Sequence, residues 1–148
     1  MQCFCDASYN PKTRVAVVGW KIGQESIHHE IIYDTNINRA ELQGIVALIR
    51  HLQQRGPIST TIFTDCENIV NKHRQREEII SRNYLTKKGK PVTNSDLLRE
   101  FFTICTDKIT IQHIEGHVAK HLMNDNNREF ALVDRHVRRM LRQHLKSA

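Results

Sequence analysis

The chain has no apolar run long enough to cross a bilayer, and because Met1 passes directly into a strand-like segment no secretory leader is expected. Membrane-spanning and exported classes are set aside on this basis, and an intracellular, cytoplasmic protein is expected. None of the four cysteines (Cys3, Cys5, Cys66 and Cys105) forms a CxxC pair. Each lies in or beside an apolar segment, so buried free thiols are expected rather than a disulfide or zinc site. Internal repeats, linkers and low-complexity tracts are also missing. What is present is ordinary globular usage, 39% apolar and 26% charged over 148 residues, which suits one compact domain spanning 1–148. The notable excess is of positive charge. A formal net charge of +6 favours polyanionic partners, because phosphate contacts dominate nucleic-acid affinity.

Residues 1–8, 14–22 and 27–34 read as three strands. They are separated by turn chemistry at Asn10 and Pro11 and again at Gly23 to Ser26. Such short connections predict an antiparallel meander. Helix-start residues at 35–38 then introduce a stripe of Leu42, Ile45, Val46, Ile49 and Leu52, with Gly56 and Pro57 as the stop. A fourth strand over 59–66 follows the third through a helical connection, so these two can run parallel. A short helix is expected over 67–75. The polar stretch 74–90 has no clear pattern. Leu97, Leu98, Phe101, Phe102 and Cys105 mark another helix, 109–114 alternates as a fifth strand, and 115–127 reads as a mobile loop. Phe130, Val133, Val137, Met140 and Leu141 predict a last helix from about Arg128 to the C-terminus.

Four acids occupy comparable places in this pattern. Asp6 and Asp65 follow apolar strand residues, Glu41 borders the apolar stripe near the start of a helix, and Asp134 lies in the last helix. Carboxylates gathered from separate elements suit hard divalent cations such as magnesium, which take oxygen ligands. Two such ions about 4 Å apart can clamp the attacking and leaving oxygens of a phosphodiester. Carboxylates so close repel one another, so the site is expected to be poorly arranged without metal.

The motifs Asp6, Ala7, Ser8; Asn38, Arg39, Ala40, Glu41, Leu42; Thr64, Asp65; and Gly116, His117 followed by Val133, Asp134, Arg135 resemble type 1 ribonuclease H, the DEDD nuclease of the ribonuclease H-like (retroviral integrase) superfamily. The approach to a later helix over 88–97 is similar too, and the resemblance covers essentially the whole chain. It implies an α/β fold, a five-stranded mixed sheet with its first three strands antiparallel, flanked by helices. It also implies endonucleolytic hydrolysis of the RNA strand of an RNA–DNA hybrid, leaving 3′-hydroxyl and 5′-phosphate ends, by a monomer carrying two Mg2+ ions with Mn2+ as a substitute. On this resemblance Asp6 bridges both ions, Glu41 and Asp65 hold the ion on the water side, and Asp134 helps hold the other. Glu41 also accepts from a ribose 2′-hydroxyl. His117 is the mobile histidine of proton transfer or product release, a role suited to imidazole near neutral pH, with His121 as its rival. Ser8, Asn10, Asn38 and Asn94 contact the hybrid backbone, where 2′-hydroxyls distinguish RNA from DNA.

Several features depart from that pattern. The first loop is short and poor in glycine. Glu67 puts an extra negative charge two residues after Asp65. The 74–90 region lacks the tryptophans of the family's basic handle, and Glu77 and Glu78 dilute its charge. The long 117–134 interval makes Glu129 a rival to Asp134. A superfamily nuclease acting on DNA, a catalytically silent hybrid-binding domain, and a small zinc protein using Cys3, Cys5, His28 and His29 are the other readings.

Overall fold

The computed structural model describes residues 1–56 and 59–147. Five strands, β1 (Gln2–Asn10), β2 (Val15–Ile22), β3 (His28–Ile32), β4 (Thr60–Thr64) and β5 (Ile109–His113), form one sheet in the order β3-β2-β1-β4-β5. β1–β2 and β2–β3 pair antiparallel, whereas β1–β4 and β4–β5 pair parallel. The meander and the mixed sheet are therefore as expected. The helices are α1 (Ile37–Gln53), α2 (Glu67–Arg74), α3 (Arg76–Ser81), α4 (Ser95–Ile104) and α5 (Asp125–Ser147), with a single 3-10 turn at Lys120–Leu122. Among the described residues no helix is long and apolar enough to cross a membrane.

The pleat of β1 divides its side chains between two cores. Cys3 and Cys5 join Val18, Trp20 and Ile62 beneath α1 and α4, while Phe4 joins Val17 and Phe63 beneath Val133 and Val137 of α5. Two glycines let the helices come close. A Cβ on Gly44 of α1 would lie 3.1 Å from Val18 Cβ and 3.4 Å from Cys5 Sγ; one on Gly19 of β2 would lie 2.5 Å from Val137 Cγ1. All four cysteines are free, three of them buried and Cys66 half-buried. Cys3 and Cys5 point into the core. His28 stacks on Trp20, whereas His29 meets His136 of α5, so the residues of the zinc alternative are split between surroundings.

Most boundaries shift by one or two residues, and three of the differences have a clear local reason. β1 continues to Asn10, whose side-chain oxygen accepts from the backbone N–H of Lys12 and Thr13 and closes the hairpin turn. α1 starts at Ile37 because Asn36 caps it, accepting from Arg39 N–H at 3.0 Å. α5 starts at Asp125, where Asn124 and Asn127 each accept from the other's backbone N–H. That reciprocal arrangement is a capping box built with asparagine, so the polar run read as loop is a helix start. The unassigned 74–90 region contains α3, followed by a bridge between Leu85 and Pro91. Pro57, expected with Gly56 to stop α1, lies outside the described residues, as does Ala148.

Candidate functional site

β1 and β4 run parallel, in a register that pairs Phe4 with Phe63, and these two rings stack 5.2 Å apart. Two residues further along each strand direction stand Asp6 and Asp65, so the same register sets the two acids side by side. Glu41 arrives from the opposite layer, at the end of the first turn of α1, one turn before the close approach made by Gly44. Oxygens of Asp6, Glu41 and Asp65 all lie within 4.8 Å of one another. Asp134 follows Val133 on α5, and its carboxyl lies close enough to that of Asp6 to raise it. The absence of a side chain on Gly19, the partner of Asp6 in β2, is what lets this part of α5 settle so close.

The electrostatics of the cluster are unfavourable for four anions alone. Burial, then the charges of Glu41 and Asp65, push the Asp6 carboxyl up to about 10. Glu41 is raised well above the carboxylate range, first by burial and then by Asp65, with the Ala7 N–H opposing. Asp65 is raised by burial and by Asp134, while its own N–H, His117 and His113 pull it back. Among the described residues, Glu41 Oε2 is one of two buried side-chain polar atoms without a hydrogen-bond partner. An orphaned carboxylate oxygen among like charges is costly unless a cation joins it. Three hard oxygen donors at this spacing fit a divalent cation of the magnesium type.

The other expected residues divide into two groups. Asn38 and Asn94 line one shallow depression, with Asn68, Lys72 and Thr93 around them. Asn94 has positive φ (59°), and its Oδ1 accepts from Arg39 Nη1 at 3.2 Å. Arg39 also makes a fork with Asp96, Nη1 to Oδ1 at 3.1 Å and Nη2 to Oδ2 at 2.8 Å. Ser8 continues β1 two residues past Asp6. Asn10 is four residues past it, about 13 Å along the strand, and its carboxamide oxygen is engaged in the turn. His117 is exposed in the loop after β5, close enough to Asp65 for its charge to act there. His121 lies on the exposed 3-10 turn.

Glu129 forms a salt bridge with Lys21, away from the acid cluster. Glu67 opens α2 with its side chain 79% exposed and Oε1 3.9 Å from His113 Nε2, so its extra charge faces out of the cluster. In the 74–90 region, Arg76 donates to the carbonyls of Phe102 and Cys105 at the end of α4. The region's partner Arg99 lies over the Tyr84 ring. These contacts use cations to hold the fold.

Three features escaped the sequence reading. His113 ends β5 beside Asp65, and the alternation of 109–114 was a signal only for a strand. Gly116 packs against the Asp65 carboxyl. Arg39 organises Asn94 and Asp96 across 55 and 57 residues of chain.

No curated protein sequence matches the chain. Similar solved structures include the prototype foamy virus protease–reverse transcriptase, at 16% identity over 93% of this chain and 20% of that one, with a TM-score of 0.75. The PFV RNase H domain in solution is similar over 93% of this chain and 92% of that domain, at 15% identity and a TM-score of 0.71. A foamy viral protease–reverse transcriptase in complex with an RNA/DNA hybrid matches at 11% identity over 89% of this chain and 18% of that one, with a TM-score of 0.70. The chain thus spans about a fifth of the two longer proteins. At these identities the likeness establishes the fold. The RNase H family description matches residues 1–141, a span that holds all four acids and every strand that positions them, and the chain belongs to the RNase H family.

Proposed function

We propose that this protein is a metal-dependent endoribonuclease that hydrolyses the RNA strand of RNA–DNA hybrids, leaving 3′-hydroxyl and 5′-phosphate ends. The observation that carries the reading is the convergence of Asp6, Glu41 and Asp65 oxygens within 4.8 Å, one of them buried without a partner, in a chain of the RNase H family. The hybrid seen with a foamy viral relative belongs to that protein, and it supports the choice of substrate here.

In this reading Asp6, Glu41, Asp65 and Asp134 hold two Mg2+ ions, with Mn2+ as a substitute. When bound, such ions polarise the scissile phosphate and make water a better nucleophile. Glu41 also accepts from a ribose 2′-hydroxyl beside the cleaved bond. His117, exposed next to Asp65, carries a proton to or from the reacting oxygens, or aids product release. Ser8, Asn38 and Asn94 bond the hybrid backbone. With its Oδ1 taken by Arg39, Asn94 offers its NH2 group as a donor to a backbone oxygen. Asn10 contributes mainly through the shape of the turn that its oxygen closes. The 148 residues act as one catalytic domain, as a monomer.

A labelled RNA–DNA hybrid incubated with Mg2+, beside single-stranded RNA, duplex RNA and duplex DNA, tests this. Cleavage confined to the RNA of the hybrid is expected. Cleavage of duplex DNA would point to a different nuclease of the superfamily. Binding of the hybrid without cleavage, at several pH values and with Mn2+, would leave only a binding domain.

A further inference from the structure

Gly116 differs from the other glycines in what its missing side chain makes room for. Gly23, Gly56 and Gly89 have positive φ and open space around them, so they serve the backbone conformation. Gly19 and Gly44 mainly make room for aliphatic side chains and a thiol. Gly116 is outside the left-handed region, so any L-residue could adopt its backbone. An ideal Cβ there would stand 2.4 Å from Asp65 Oδ2, 3.2 Å from Cγ and 3.3 Å from Cβ. Its bare Cα lies directly against the carboxyl.

The strand end that carries Gly116 cannot easily withdraw. His113 pairs with Thr64, Ile114 N–H donates to Thr64 O at 3.0 Å, and Ile114 is buried in the α5-side core. Asp65 is the softer partner, because only side-chain torsions need turn. Oδ2 would have to retreat by about 1 Å to reach the 3.4 Å of ordinary contact. A metal constellation tolerates roughly 0.5 Å of misplacement, so the shift is enough to matter.

We propose that Gly116 is a positioning residue whose bare Cα forms the wall that holds the Asp65 carboxyl toward Asp6 and Glu41, and thereby sets the affinity of the site for divalent cations. This rests on the metal-site reading above. Gly116 is also one peptide link from His117, so cation binding is the readout that separates an effect on Asp65 from one on His117.

The test is Gly116→Ala in the full chain. Mn2+ binding is titrated calorimetrically without nucleic acid, hybrid cleavage is measured at saturating substrate, and urea unfolding is followed in EDTA. The inference expects Mn2+ affinity to fall at least tenfold and kcat to fall on the order of 100-fold. KM for the hybrid should stay within about twofold, and the midpoint in EDTA should be unchanged. If Gly116→Ala is less stable, Mn2+ affinity measured at low temperature on folded protein still decides. Wild-type Mn2+ affinity in Gly116→Ala would overturn the inference, even with cleavage lost, because the glycine would then serve His117. Failure of the wild-type protein itself to bind Mn2+ would overturn the metal-site reading, and the wall with it.

Discussion

Two groups of charge are shielded where β1 and β2 meet α5, and they are neutralised in different ways. Lys21 on β2 donates to Gly23 O and to Glu129 on the first turns of α5, with side chains 9% and 24% exposed. Cation meets anion, and the donors have acceptors. Two residues further along β1 than Phe4, the partner of Lys21, Asp6 faces Glu41, Asp65 and Asp134, all of one sign. Both groups lie where α5 meets the sheet. The first is complete within the protein and is structural. The second is incomplete and gains from a cation supplied from outside. A buried charge is thus best judged by whether its partner is already in the chain.

The sharpest way to break the contrast is Asp65→Asn, which keeps shape and removes one negative oxygen. Hybrid cleavage should drop by roughly 1000-fold, while far-ultraviolet circular dichroism stays unchanged. Full activity would remove Asp65 from the metal site. The Lys21 group should respond the other way. Lys21→Ala leaves Glu129 half-buried without its partner and should cost about 2–3 kcal/mol in urea unfolding. Most of that should return in Lys21→Met with Glu129→Leu, and cleavage by the folded fraction should persist.

Asp6→Asn should separate stability from function. A carboxyl raised from 3.8 to about 10 favours the fold below about pH 4, and its contribution declines as pH rises toward 10. In EDTA at pH 8 the variant should therefore be more stable than the wild type by about 1–2 kcal/mol, with no gain at pH 4, although it has lost cleavage. Equal urea midpoints at both pH values would argue against repulsion in the cluster. The smallest effect belongs to the exposed Arg39–Asp96 fork. Arg39 holds Asp96 down to about 2, so its stabilisation is present above about pH 4 and disappears as pH falls through 2. Asp96→Asn should cost less than about 1 kcal/mol at pH 7 and nothing near pH 2, as read from thermal melts. Arg39→Ala should also raise KM for the hybrid several-fold by freeing Asn94.

The acids were legible because each stands at the end of a local pattern: apolar strand residues before Asp6 and Asp65, an apolar stripe around Glu41, and another around Asp134. The strands and helices were legible from the same periodicities, whereas the pairing of β4 with β1 rather than with its predecessor β3 is a long-range contact that periodicity does not encode. What was hidden depends on long-range or side-chain detail. The start of α5 lay in an Asn-rich run, because asparagine serves loops and caps equally. α3 was hidden because a six-residue helix with one buried residue, Ile79, has little periodicity to read. His113 was read as strand alternation, and its place beside Asp65 follows only from the β4–β5 register. Gly116 stood out only as the neighbour of His117 in a motif, and its contact with the Asp65 carboxyl appears only in the structure.

The feature with the widest reach is the docking of α5 on Gly19. Asp6 belongs to the first strand and Asp134 to the last helix, so the two meet only after the 127 residues between them have found their places. Closure of so long a loop is entropically slow, and it is gated by a methyl-sized vacancy on β2. A chain emerging from the ribosome carries three of its acids well before the fourth can join them. Three of the acids sit on β1, on α1 and at the end of β4, so only the fourth place in the cluster waits for the last helix.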